Sequence, residues 1–323
     1  MKGLIPYLLR ELEERKNYTG KEIIETIYFG GGTPSILEIK DLRAILENVK
    51  KNYQVSSSAE ISFEANPEDL KAEYLNKLKI VGINRLSIGI QSFQDSDLEL
   101  MHRIHNAEQA INAVKDAQKE GFDNISIDLI YGLPGLNMES WEKNLEKAFS
   151  LGVQHFSAYH LTYEPGTIFD HWRKKGKLIP IPEEDSLHQF KLLLEKAKEN
   201  GFEHYEISNF SLPGYQSRHN TSYWEQKKYL GIGPSAHSYD SVSRRWNVRN
   251  NNQYMESIIS GKEYYESETL SVDNLYNEFI MTSLRMSKGL NYKKVDELFS
   301  NQAQSLRNRI HMKLMYRKWR EFI

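Results

Sequence analysis

The sequence predicts an α/β fold assembled from parallel βα units, and three observations support this expectation. Short apolar runs rich in β-branched and aromatic residues alternate with amphipathic helical segments. The alternation repeats at about 25–45 residues, enough for a strand, a crossover helix and their loops. Polar residues and glycines follow the strands, where doubly wound sheets and barrels both bind ligands. A doubly wound sheet and a full or partial barrel both fit these observations.

Six segments have the composition of buried strands, and they are residues 26–29, 60–63, 85–90, 125–130, 155–159 and 203–207. A first helix is expected over residues 4–15, because Ile5, Leu8 and Leu12 fall on one face. After about residue 210 the strand rhythm fades, and Asn, Ser, Tyr and Trp become frequent. We therefore expect a barrel domain over residues 1–210 and a smaller α+β region over residues 211–323.

Polar residues and glycine predict where several helices begin and end. Asn66 is expected to cap a helix whose first residue is Pro67. Ser35 and Glu38 have the spacing of a capping box ahead of another helix. A later amphipathic helix is expected to stop at Gly201.

The composition is that of an ordinary globular protein. The chain has 323 residues, a formal charge of −2 and 39% hydrophobic residues, which gives no reason to expect nucleic acid or a membrane surface as a partner. No apolar run approaches the roughly 20 residues of a transmembrane helix. The N-terminus has no secretory pattern, so we expect a cytoplasmic protein. The chain has no cysteine, which excludes disulfides.

Several predicted strands end in a polar residue or lead into glycine. Gly30, Gly31, Gly32 and Thr33 follow the first strand, while Glu64, Gln91, Arg103 and Asp128 lie at or beyond the next three. Glycines let a ligand approach the backbone, and acids together with an arginine suit an amino-acid head group and a ribose. Each feature also has a structural explanation: a permissive turn, a hydrogen-bonded acid, a surface arginine. The pattern of a phosphate-binding loop is absent from the sequence.

A set of motifs in a fixed order identifies a resemblance. The motifs are IYFGGGTPS, ISFEANPE, RLSIGIQSFQ, LMHRIHN, IDLIYGLPG, YEISNF, RHNTSYW and YLGIGPSAHSY. Together, from about residue 25 to about residue 292, they resemble the radical S-adenosylmethionine (SAM) family of oxygen-independent coproporphyrinogen III oxidase and the heme chaperone HemW. The resemblance implies a partial (β/α)6 TIM-like barrel followed by a smaller C-terminal region.

The resemblance also implies cofactors and site residues. Relatives hold a [4Fe–4S] cluster through three cysteines and bind SAM at its fourth iron. In this chain the matching SAM contacts are Gly31, Gly32, Thr33, Glu64, Gln91, Arg103 and Asp128. His219, in the motif that marks the heme-chaperone branch, is the implied heme ligand, and an ordinary hydrogen-bonded histidine beside Tyr223 and Trp224 is the alternative. His237 is expected to be structural, with a porphyrin contact as the alternative.

The sequence departs from the family pattern at both ends. If residues 4–15 are the first barrel helix, the preceding strand and its cysteine loop are absent, so we expect no cluster ligands, weakened SAM binding and no radical catalysis by this chain. After about residue 292 the sequence no longer follows the family, and the basic segment 306–323 does not align.

Three functional hypotheses follow. The favoured one is a HemW-like heme chaperone, shortened at the N-terminus, with heme and an unknown acceptor protein as partners. The alternatives are an oxygen-independent coproporphyrinogen III oxidase and a non-functional fragment. The motif around His219 favours the chaperone over the oxidase.

Overall fold

The computed structural model describes residues 3–299, and its largest element is a seven-stranded sheet that curls into a half-barrel. Its strands are β1 Ile24–Phe29, β2 Val55–Ala65, β3 Arg85–Gln91, β4 Ile125–Tyr131, β5 His155–His160, β6 Glu203–Glu206 and β7 Asn209–Ser211. Their order across the sheet is β1-β2-β3-β4-β5-β7-β6. The predicted α/β class and the half-barrel are confirmed.

Helices connect the strands and continue beyond the sheet. Over the described residues the α-helices are α1 Ile5–Glu14, α2 Ile39–Asn52, α3 Ala72–Val81, α4 Asp95–Leu100, α5 Ala107–Lys119, α6 Met138–Ser150, α7 Ile168–Lys174, α8 Glu183–Glu199, α9 Arg218–Trp224, α10 Asn251–Ser260, α11 Val272–Arg285 and α12 Tyr292–Phe299. No helix within residues 3–299 is long and apolar enough to cross a bilayer.

The pairing of the strands changes at one edge of the sheet. Strands β1 to β5 run parallel to their neighbours, whereas β7 lies antiparallel to both β5 and β6. All six predicted strand positions are confirmed, but β7 was not predicted, because three residues are too few for a periodic pattern. Its insertion separates β6 from β5, so the sheet is not parallel throughout.

The two faces of the sheet differ in chemistry. On the outer face Phe63, Ile88 and Ile127 are fully buried in the main hydrophobic core beneath the helices. Because side chains alternate along a strand, their neighbours Ser62 and Ser126 lie on the inner face, where they are also buried. A parallel sheet is commonly apolar on both faces. The inner face of this sheet is therefore unusual, because it buries polar side chains.

Two of the predicted helix caps are wrong, and tertiary contacts are the reason. Asn66 precedes a short 3₁₀ turn, Pro67–Asp69, and its side chain accepts a hydrogen bond from Arg103 instead of capping the turn. Ser35 donates its hydroxyl to Asp69 at 2.5 Å, and no side chain caps the start of α2. The predicted stop at Gly201 is confirmed, since α8 ends two residues earlier.

A second, smaller sheet lies in the C-terminal part. Its strands are β8 His237–Tyr239, β9 Ser243–Asn247 and β10 Tyr265–Thr269, and they pair antiparallel in the order β10-β9-β8. The division of the chain at about residue 210, and the altered sequence after about residue 292, stay predictions. The basic segment 306–323 lies outside the described residues.

Helix α1 is attached to the C-terminal part through one buried carboxylate. Glu11 is fully buried, and its Oε1 accepts hydrogen bonds from Arg15 at 3.2 Å and Asn247 at 2.8 Å. Its Oε2 accepts from the Gly233 backbone at 2.8 Å and from the Tyr254 hydroxyl at 2.5 Å. These four hydrogen bonds offset the cost of burying the carboxylate.

Replacing Glu11 by alanine is expected to cost about 3–5 kcal/mol of unfolding free energy, because it leaves the buried Arg15 guanidinium without its counter-ion. Urea unfolding followed by circular dichroism measures the loss. The control is Glu14→Ala, which removes an exposed pair with Arg10 on the same helix and is expected to cost at most about 1 kcal/mol. Equal unfolding midpoints for the two variants would contradict the role given to Glu11.

Candidate functional site

The loop after β1 brings backbone groups to the mouth of the half-barrel. Gly31 and Gly32 have φ values of 73° and 72°, in the left-handed region that favours glycine. The Gly31 N–H donates to Glu64 Oε2 at 3.2 Å, and the other carboxylate oxygen accepts from the Tyr28 hydroxyl. A Cβ on Gly30 would come within 2.9 Å of Glu64 Oε1 and overlap the Tyr28 ring. The loop therefore packs on Glu64 only because glycine occupies position 30.

Arg103 reaches the same mouth from the turn after α4. Its Nη2 donates to Asn66 Oδ1 at 2.8 Å and to the Gly89 carbonyl at 3.0 Å, while its buried Nε has no partner among the described residues. A Cβ on Gly89 would meet Gln91 Nε2 at 3.0 Å and Arg103 Nη2 at 3.5 Å. Glycine at position 89 thus leaves room for both side chains.

Gln91 adopts an unusual backbone conformation at this position. Its φ is 70°, and the register between β3 and β4 shifts between Ile88 and Gln91. Such irregularities redirect a side chain at the end of a strand and are frequent beside functional sites. The shift places the Gln91 amide beside Gly89 and the Arg103 guanidinium.

Asp128 supplies a second carboxyl group, from β4. Burial raises the pKa of Asp128 to about 6; the Ser157 hydroxyl opposes this shift, and the negative charge of Glu64 adds to it. The positive charges of Arg85 and Arg103 also oppose the shift. A carboxyl group with a raised pKa in a cleft is a frequent property of functional sites.

The structure thus brings together Gly31, Glu64, Gln91, Arg103 and Asp128 of the predicted set. Gly32 lies open to solvent in the same loop, and Thr33 continues from it into the turn Pro34–Ile36.

Sequence reasoning missed two residues of this mouth. The Tyr28 hydroxyl donates to Glu64. The alternation of side chains along β1 could have indicated this residue, because Tyr28 and Thr26 are two residues apart and therefore lie on the same, inner face of the sheet. Asn66 binds Arg103, but its position before a proline favoured a cap.

His219 lies on α9, against the inner side of β1. Its Nδ1 is 2.9 Å from Thr26 Oγ1, and its Nε2 is 3.0 Å from the Tyr223 hydroxyl. Its ring stacks on Tyr28 with 4.7 Å between the centroids and 10° between the planes. His219 thus makes ordinary hydrogen bonds, as the alternative to heme ligation in the sequence analysis proposed. The Tyr28 ring separates it from Glu64 at the mouth of the half-barrel.

Another buried carboxylate holds α9 in this position. Glu60, only 6% exposed, accepts the backbone N–H groups of Arg218 and His219, each at 3.0 Å. The Ser217 hydroxyl caps the helix by accepting the Asn220 N–H at 3.2 Å. A negative group at the start of a helix is favoured by the unpaired N–H groups there. Strand β2 therefore determines where His219 lies.

The charge state of His219 follows from its surroundings. Burial, assisted by the Arg85 guanidinium, lowers the pKa of His219 to about 4. Arg85 is 2% exposed, and its Nε has no hydrogen-bond partner among the described residues. The imidazole is therefore neutral at physiological pH, which is the form that binds a metal.

The donor groups of the chain do not fit a [4Fe–4S] cluster. Such clusters need thiolate ligands, and the chain has no cysteine. Across residues 3–299, no three histidine, aspartate or glutamate side chains are grouped to hold a metal ion. A heme iron differs in needing one or two axial side chains, and histidine is a common one.

The sequence matches the radical SAM superfamily over residues 5–148. The heme chaperone HemW of Bacillus subtilis is 35% identical over 290 residues, which cover 89% of this chain and 76% of that protein. HemW of Synechocystis is 38% identical over 285 residues, covering 87% and 68%. The mitochondrial radical S-adenosyl methionine domain-containing protein 1 of Danio rerio is 32% identical over 305 residues, covering 92% and 68%.

Among solved structures, coproporphyrinogen III oxidase (HemN) from Escherichia coli, a radical SAM enzyme, is similar with a TM-score of 0.78. The similarity covers 92% of this chain and 71% of that chain at 23% sequence identity. At this identity the similarity shows the fold alone, and it agrees with the curled half-barrel described above.

The raised pKa of Asp128 predicts a pH-dependent stability. Because the folded chain binds this proton more tightly than the unfolded chain, stability falls as pH rises from about 4 to about 6. Asp128→Asn removes this dependence, so the free energy of unfolding of the variant relative to wild type is expected to rise by on the order of 2 kcal/mol between pH 4 and pH 7. Urea unfolding at both pH values tests this, with the exposed Asp123→Asn as the control. A difference that stays constant with pH would show that Asp128 titrates normally.

Proposed function

The chain belongs to the radical SAM superfamily and, within it, to the family of the heme chaperone HemW, and from this premise we propose that it binds heme and transfers it to an acceptor protein. The observation that carries the proposal is the placement of His219. Its imidazole is neutral, and Thr26 together with the Tyr28 ring holds it in one orientation. A fixed neutral imidazole is ready to ligate heme iron without first losing a proton.

We propose that the mouth of the half-barrel binds SAM. Gly31, Gly32 and Thr33 would contact its methionine part, and Arg103 would pair with its carboxylate. Glu64, Gln91 and Asp128 would contact its ammonium and ribose groups. The unpaired Nε of Arg103 and the open glycine loop support this assignment. Affinity is expected to be weak, because the iron that anchors SAM in relatives has no thiolate ligands in this chain.

Carrier function is favoured over catalysis by the donor groups. In relatives, SAM together with its cluster supplies radical chemistry, and this chain contributes no thiolate to such a cluster. Ligation of heme requires none of those cysteines. The proposed role is therefore that of a heme carrier. We further propose that the chain acts in the cytoplasm and that it divides at about residue 210 into a barrel and a C-terminal region.

Replacing His219 by alanine is expected to abolish the Soret shift that heme produces when it binds the wild-type protein, because the axial ligand is lost. Spectrophotometric titration of the purified full chain with hemin, in the ferric and the reduced state, measures the binding. The control is His188→Ala, an exposed histidine on α8, which is expected to bind as wild type does. Unchanged binding by His219→Ala would exclude His219 as the ligand.

Replacing Arg103 by alanine is expected to weaken SAM binding by roughly 10–100-fold, because a charge-assisted hydrogen bond to the carboxylate is lost. Equilibrium dialysis with labelled SAM, at concentrations up to the millimolar range, measures the affinity. Arg43→Ala, at an exposed position on α2, is the matched control. Equal SAM binding by the two variants would contradict the proposed pocket.

A further inference from the structure

We propose that His219 presents its Nε2 to the heme iron, with Thr26 fixing the ring through Nδ1 and the Tyr223 hydroxyl acting as a displaceable cover over Nε2. This inference rests on the proposed function and assigns roles to two residues that touch the histidine. It follows from the unequal surroundings of the two ring nitrogens.

The Nδ1 side of the ring is attached to the sheet. Thr26 belongs to β1, where its backbone pairs with Glu60 of β2, and its Oγ1 lies 2.9 Å from Nδ1. Glu60 in turn holds the backbone N–H of His219. Neither partner can move away without breaking the pairing of β1 with β2 or releasing the start of α9. Nδ1 is therefore the nitrogen that stays inside.

The Nε2 side faces the hydroxyl of a partly exposed residue. Tyr223 lies one turn further along α9, and its side chain is 36% exposed. Its ring packs edge-on against Tyr229, with 4.7 Å between the centroids, so rotation that withdraws the hydroxyl from Nε2 costs that contact but leaves the helix undisturbed. A ligand that approaches from outside therefore meets Nε2 once Tyr223 has rotated away.

The hydrogen bonds are consistent with the tautomer that this role requires. When the Nδ1–H donates to Thr26 Oγ1, the Nε2 lone pair is left to accept the phenolic hydrogen of Tyr223. The Tyr223 hydroxyl lies 3.0 Å from Nε2, within reach to donate that hydrogen. An imidazole that ligates a metal commonly donates its other N–H to an oxygen in this way, which fixes the ring and increases its basicity.

The Tyr28 ring fixes the plane of the imidazole, and Thr26 selects its orientation within that plane. The Tyr28 ring stacks on the imidazole at 4.7 Å, nearly parallel, so the ring plane is fixed from one face. Turning the imidazole over within this plane would place a carbon against Thr26 Oγ1 and lose that hydrogen bond.

Two conservative variants test the assignment on the full chain by titration with hemin. Thr26→Val keeps the shape and the strand preference of the residue but removes the acceptor. It is expected to weaken heme binding by about tenfold or more and to lower the iron–histidine stretching frequency in resonance Raman spectra of the reduced complex. Tyr223→Phe keeps the ring but removes the cover, and it is expected to strengthen heme binding about two- to tenfold.

The outcomes separate this inference from the proposed function. If His219→Ala binds heme unchanged, the proposed heme site fails whatever the other variants do. If His219→Ala loses heme but Thr26→Val retains both the affinity and the stretching frequency, the role of Thr26 is overturned. If Tyr223→Phe weakens binding, or removes the bands of a tyrosinate-ligated ferric heme from the spectrum, Tyr223 is a ligand or a support and the cover is overturned.

Discussion

Burial of polar groups on the inner face of the sheet is the constraint on which the rest of the structure depends. An unpaired polar or charged group in such a place costs several kcal/mol, so pairing with another polar group is strongly favoured. Glu60 finds its partners in the first N–H groups of α9, and His155 lies between Ser126 and Tyr205, at 2.7 Å from each. These pairings bring a C-terminal helix into the half-barrel. The location of His219 is therefore a consequence of satisfying a carboxylate on β2.

Tyr28 connects the two candidate sites. Its hydroxyl donates to Glu64 at the mouth of the half-barrel, while its ring stacks on His219. Burial and the neighbouring Glu64 raise the pKa of Tyr28, so the hydroxyl remains a donor. A ligand that takes the Glu64 carboxylate for its own ammonium or hydroxyl competes directly with Tyr28. Because the same ring packs against the imidazole, the mouth of the half-barrel and His219 share one physical element.

The sequence predicted those features that depend on local pattern. The six strand positions followed from apolar runs, and the polar residues at their ends proved to lie together, because parallel strands end at one edge of a sheet. The features it did not predict depend on contacts distant in the chain. Asn66 and Ser35 have the composition of caps, but Arg103 and Asp69 bind them. Strand β7 is too short to have a period, and only its pairing with β5 defines it. The stacking of Tyr28 on His219 joins residues 28 and 219, and no spacing rule relates them.

The absence of cysteine does not remove every function from this scaffold, because a cluster and a heme need different ligands. A [4Fe–4S] cluster of this family needs three thiolates, histidines seldom replace all three, and the chain contains no cysteine. A heme carrier needs one ligand that binds and then releases, so its affinity has to be moderate. His219 is neutral, which removes a cost of binding, while its Nε2 is already occupied by a hydroxyl, which adds one. These two opposing contributions act on the same nitrogen atom. In the proposed role, the hydroxyl that must leave before iron binds is also available to return when heme departs, so it lowers the affinity and favours release to a stronger acceptor.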